Sequence, residues 1–96
     1  MDQIVRRLGA RPEECYFWAT HAGAELDLLI VRGRLRMGFE IKRTSAPKIT
    51  PSMKYAFQDL GLSSLRVIHA GEQTFPLAED MHAIAAHNLL KELEPL

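Results

Sequence analysis

The residues "GAELDLLIVRGRLRMGFEIKRTSAP", 23 to 47, constrain this chain more than any other segment. Two apolar runs flank Arg32-Gly33, the pattern of a β-hairpin. Yet Glu25, Asp27, Glu40 and Lys42 interrupt those runs. A hairpin that served only a core has no use for three carboxylates and a lysine there.

Strand side chains alternate between faces. Glu25, Asp27, Leu29 and Val31 therefore share one face of the first hairpin strand, 25–32, with Leu26, Leu28 and Ile30 on the other. On the second, 34–43, Arg36, Gly38, Glu40 and Lys42 share a face opposite Leu35, Met37, Phe39 and Ile41. The uniformly apolar rows predict the core face. An Arg32-Gly33 loop would pair Val31 with Arg34, Leu29 with Arg36, Asp27 with Gly38 and Glu25 with Glu40. An odd loop would mismatch the apolar rows, so the two-residue register is expected. The acids and Lys42 then cluster at the end of the hairpin away from its turn, and Gly38 opposite Asp27 leaves room for a ligand.

Opposed carboxylates repel unless a cation lies between them. A hard ion such as Mg²⁺ or Mn²⁺ takes oxygen ligands, commonly one or two carboxylates with water and phosphate. Asp27 and Glu40 could supply them, with the Ile41 carbonyl as a further ligand and Glu25 as an auxiliary. Lys42 could position the attacking water or neutralise a scissile phosphate. The plainer alternative is surface ion pairing, Glu25 with Arg43 and Glu40 with Lys42 or Arg36, worth roughly 0–1 kcal/mol.

The chain has zero net charge, which argues against a dedicated nucleic-acid binder. Its distribution is uneven. Residues 32–54 carry +6, against −2 for 1–31 and −4 for 55–96. Arg36, Arg43, Lys48 and Lys54 are thus candidates for holding a nucleic-acid backbone beside the acids, or simply a solvated outer face. The 96 residues suit one small domain, 1–96. The single cysteine, Cys15, cannot form an internal disulfide and suits a reducing cytoplasm. No apolar run approaches the roughly 18 residues of a membrane span, and the start lacks the pattern of a signal peptide. His21, His69, His82 and His87 show no zinc spacing. Tyr16, Phe17 and Trp18 read as core and sheet-edge packing.

Residues 2–9 predict a short helix stopped at Gly9. A strand follows at 15–20, then a tight "HAGA" turn. After the hairpin, "SAPKITP" is a loop. Thr50 caps a helix with Pro51 at its first position and Gly61 at its end. A strand covers 64–70. Residues 71–80 read as loop, 81–86 as a short strand and 87–96 as a closing helix. The expected class is α/β (α+β), in the order αβββαβ, with a mixed sheet flanked by helices.

"ELD", twelve residues and "EIK" resemble the D-x(n)-(D/E)-x-K motif of the PD-(D/E)xK nuclease superfamily, whose core has this order. "YFWATHAGAELDLLIV", "GFEIKRTSAPKITPSM" and "LGLSSLRVIHAGEQTFPL" also look like the C-terminal domain of unknown function of prokaryotic AAA-type ATPases, grouped with restriction-endonuclease-like folds. That resemblance covers about residues 12–96. It implies that Asp27, Glu40 and Lys42 correspond to the nuclease-like motif and that an ATPase module accompanies the domain elsewhere. The superfamily usually carries a further acid on its first helix. Here that helix holds only Asp2 and reads as truncated, which also implies an uncovered sheet face and a homodimer. Two functions follow as expectations: a Mg²⁺-dependent DNA nuclease, or an inactive nuclease-fold module that contacts nucleic acid or protein.

Overall fold

A computed structural model describes residues 2–21 and 23–96. The order is α1 (Asp2–Leu8), β1 (Cys15–Ala19), β2 (Glu25–Arg32), β3 (Leu35–Ile41), α2 (Pro51–Leu60), β4 (Ser64–His69), β5 (Phe75–Ala78), β6 (Met81–Ala85) and α3 (Leu89–Glu92), with 3-10 turns at Pro12–Glu14 and Ala86–Asn88. The six strands form one sheet in the order β1-β2-β3-β4-β6-β5. The β1–β2, β2–β3 and β5–β6 pairs are antiparallel; β3–β4 and β4–β6 are parallel. The sheet is mixed and helices flank it, as expected. The "HAGA" turn includes Ala22, which lies outside the described residues.

Both faces are covered, so the uncovered face expected from a short first helix is corrected: α1 and the C-terminal residues together fill it. Ile4 and Leu8 of α1, with Leu89 and Leu93, pack on Leu28, Ile30, Met37, Phe39, Ile68 and Ile84. On the other side Met53 and Ala56 of α2 pack on Leu26, Leu29, Leu65, Val67 and Met81. The hairpin face that carries the charges is therefore not an outer surface. Its middle is core, and its polar groups lie at the two ends, Arg36 by the turn and the acids with Lys42 at the far end.

Two features of the hairpin differ from expectation. Its ladder pairs Arg32 with Leu35, Val31 with Arg36, Ile30 with Met37, Leu29 with Gly38 and Leu28 with Phe39. The loop is Gly33-Arg34 rather than Arg32-Gly33, because Gly33 takes φ 58° at the first loop position, where a Gly-first two-residue turn needs it. The shift is two residues, so face parity survives, but Gly38 lies opposite Leu29 and not Asp27. A side chain at Gly38 would strike Leu62 and Leu26 at 2.8 and 3.0 Å. This glycine makes room for leucines, not for a ligand.

The second feature is a bulge. Between the Tyr16–Leu29 and Trp18–Leu26 pairs β1 advances two residues and β2 three. The extra residue breaks the alternation. Leu26 joins Leu29 on the α2 side, while Leu28 and Ile30 face α1 and α3. Asp27 lies inside this irregularity. The expected face containing Leu26, Leu28 and Ile30 together is corrected accordingly, and Ile41, read as core, is 47% exposed.

Thr50 caps α2 as expected, its hydroxyl oxygen accepting from the Met53 N–H at 3.1 Å, and Gly61 closes the helix at φ 60°. Two tail readings are corrected. Residues 75–78 form β5, an edge strand that tolerates Pro76. The closing helix is only four residues long, since Leu93 turns extended and is fully buried. The Leu96 N–H reaches the Leu8 carbonyl at 2.8 Å, and the Arg7 Nε–H reaches that of Leu93 at 2.8 Å. These bonds hold the tail on α1.

A bidentate pair ties the first 3-10 turn to the end of β2: Arg32 Nε and Nη2 donate to Glu14 at 2.8 and 2.9 Å. The guanidinium and the Arg11 N–H hold the Glu14 carboxyl at about 2. Its contribution to stability is thus present above the ordinary carboxylate pKa and is lost as the pH falls towards 2. No described helix is long and apolar enough to cross a membrane.

Candidate functional site

The site forms at the C-terminal end of β3, where the hairpin ladder stops. Beyond the Leu28–Phe39 pair, the Ile41 N–H donates to Asp27 Oδ2 at 2.7 Å. The bulge turns the carboxylate into the place that a ladder carbonyl would otherwise fill. Asp27 is thereby fixed against β3 with its second oxygen left over.

Among the described residues Glu40 is the one buried carboxylate, 8% exposed, on the α2 side of a central strand. Burial raises its pKa; the Lys42 hydrogen bond and charge oppose this, and Asp27 and Glu25 push it up further. The Lys42 ammonium sits 3.2 Å from Glu40 Oε1. Residues two apart on a strand share a face, which is why the E-x-K spacing brings these groups together. The expected trio of Asp27, Glu40 and Lys42 is therefore assembled, with Glu25 exposed at the start of β2 and near enough to act on Glu40 electrostatically.

A strap over residues 42–50 leads from β3 to α2. The Lys42 N–H donates to the Ile68 carbonyl at 2.8 Å, and the Ala70 N–H to that of Thr44 at 3.2 Å. The strap and α2 enclose a groove of about 240 Å³ lined by Lys42, Thr44, Pro47, Lys48, Thr50 and Met53 among others. Lys48 thus joins Lys42, whereas Arg43 and Lys54 are exposed outside the groove lining. Arg36 is not part of this site. It lies near the hairpin turn, its Nη1 donating to the Leu60 carbonyl at 2.8 Å, where it caps the end of α2.

Sequence reasoning missed the support for the strap. His69 is buried; its Nδ1 accepts from the Gly71 N–H at 3.0 Å, and its ring lies 5.6 Å from that of Phe75. Gly71 packs directly against the strap, where a Cβ would run into the Ser45 carbonyl. Gly71→Ala is expected to displace the strap and destabilise the domain by about 1–3 kcal/mol, the usual range for overpacking. Denaturant unfolding of the variant measures this. The "HAG" triplet was the available signal, but only the fold puts it against "TSA".

Asp27 and Glu40 present hard oxygen donors on neighbouring strands, and the repulsion from Asp27, which adds to burial in raising Glu40, is what a divalent cation relieves. The set fits a Mg²⁺ that keeps water and substrate ligands. It is not a closed cage: among the described residues no three His, Cys, Asp or Glu side chains converge on a metal position.

Comparison with known proteins places the chain in a family. Residues 1–89 match the model of a domain of unknown function, DUF4143, and the chain belongs to that family. It is similar to the uncharacterized proteins Mb2031c of Mycobacterium bovis and Rv2008c of Mycobacterium tuberculosis, at 43% identity over 90 residues. The aligned region covers 94% of this chain but 20% of each relative, so the chain spans about a fifth of their length. No solved structure matches.

Proposed function

We propose that this DUF4143 domain is a nuclease-type module directed at DNA phosphodiesters. The observation that carries the reading is the Asp27–Glu40–Lys42 cluster at the end of a bulged hairpin. Asp27 and Glu40 would hold Mg²⁺ or Mn²⁺, with the Ile41 carbonyl available beside them. When bound, the ion would polarise a phosphoryl oxygen and acidify water. Lys42 neutralises charge at the scissile phosphate, and its hydrogen bond to Glu40 sets where the ammonium points. Lys42 and Lys48 hold the phosphate backbone in the groove, with Lys54 and Arg43 outside it. The motif likeness to the PD-(D/E)xK superfamily supports the same assignment. The likeness to ATPase C-terminal domains supports a setting beside an ATPase module, and relatives about five times as long as this chain have room for one.

A second reading has its own observation. Only two carboxylates converge, one bonded to a backbone N–H and the other to Lys42, and no third metal-ligating side chain joins them among the described residues. A scaffold that keeps the nuclease hairpin for binding alone would look like this. Incubation with single- and double-stranded DNA in Mg²⁺ or Mn²⁺ separates the two. The nuclease reading predicts cleavage that falls at least about 100-fold in Asp27→Ala. Salt-sensitive DNA binding without cleavage would favour the scaffold.

A further inference from the structure

A second cavity, of about 190 Å³, opens on the opposite side of the sheet, between β4, β6, the residues before β5 and α3. It is lined by Arg66, Thr74, His82, Ile84 and Glu92. Arg66 and His82 are direct partners in the β4–β6 ladder. Val67 and Leu65 point to α2, whereas Ile68 and Ile84 face α1 and α3, so by alternation Arg66 and His82 share the latter face.

Arg66 is half-buried, and its guanidinium is charged at any physiological pH. Burying such a group is unfavourable unless its donors are satisfied. Its one side-chain hydrogen bond among the described residues runs from Nη1 to the Ser64 hydroxyl, a neutral acceptor, at a long 3.3 Å. No described carboxylate lies within ion-pair distance. Burial accordingly pushes its pKa down. Around the cavity stand further donors. Thr74 Oγ1 accepts from the Ala85 N–H at 3.1 Å, which leaves its own O–H to give. His82 is exposed on the adjacent strand.

We propose that this cavity binds a small oxyanion, a carboxylate or phosphate group, on the Arg66 fork. The planar guanidinium offers paired N–H donors that match two oxygens of either group. A cavity of 190 Å³ is several times the roughly 30 Å³ share of one water, so an anion with a few further atoms fits. Glu92 on the lining repels the anion and limits affinity. The site is independent of the carboxylate cluster, being built on other strands and the other face.

The test follows the arginine Nε–H resonances of the 96-residue chain by NMR during titration with acetate, inorganic phosphate or chloride at matched ionic strength. A saturable shift of the Arg66 signal is expected with acetate or phosphate and not with chloride. Whichever of the two binds more tightly identifies the group. The perturbation of neighbouring Thr74 and His82 is expected to weaken at least roughly ten-fold in Arg66→Gln, and also in Arg66→Lys, which keeps the charge but not the fork. Glu92→Gln is expected to tighten binding roughly three-fold, the order of one water-screened charge. Equal response to chloride, or an unchanged response in both Arg66 variants, overturns the proposal.

Discussion

Phe39→Ala is expected to remove about 3–5 kcal/mol of stability, the range for truncating a buried phenylalanine. Phe39 is fully buried in the middle of a central strand and belongs to the cluster capped by α1 and α3. Small domains have about 5–15 kcal/mol in total. A loss of ~4 kcal/mol in a domain this size lowers Tm by roughly 16–32 °C. Thermal and urea unfolding of the variant measure the effect. A Tm within a few degrees of the parent would mean that β3 is not the centre of the fold.

The opposite sign is expected one residue further along. The Glu40 carboxylate has a folded pKa raised above its unfolded value, by burial first and by Asp27 and Glu25 in addition. The folded state therefore binds more protons than the unfolded state in that pH range. Glu40's contribution to stability is full below the unfolded pKa and is lost as pH rises through the raised one. Glu40→Gln copies the protonated form. It should stabilise the domain at neutral pH by about 0.5–2 kcal/mol, the range of single stabilising substitutions, and flatten this part of the pH profile. The same change should lower divalent-ion affinity by more than the roughly 10–100-fold that loss of an outer-shell partner costs. A destabilised Glu40→Gln would show that the carboxylate is held there for the fold, through Lys42, and not against it.

Much of this was legible in the sequence because it rests on local rules. Thr50, Pro51 and Gly61 bound α2 where capping chemistry says they should. The E-x-K spacing puts Glu40 and Lys42 on one face by strand periodicity alone, and the structure joins them at 3.2 Å. What failed rested on longer-range contacts. Leu26 sits with α2 because β1 imposes a bulge on β2, and no pattern within β2 reveals its partner's register. Arg36 looked like part of a basic cluster, but the hairpin turn carries it to the far end of α2. Pro76 disguised an edge strand as loop. Leu93, with helical spacing from Leu89 and Leu90, instead follows α1 into the core in an extended conformation.

The measurement that bears most directly on the account is calorimetric titration of Mg²⁺ and Mn²⁺ into the domain, wild type against Asp27→Ala. Asp27 contributes one backbone hydrogen bond to the fold, so the variant should lose only about 0.5–1.5 kcal/mol of stability and remain folded. Saturable binding by the wild type that disappears in the folded variant is expected. No binding by the wild type, or equal binding by both, would contradict it.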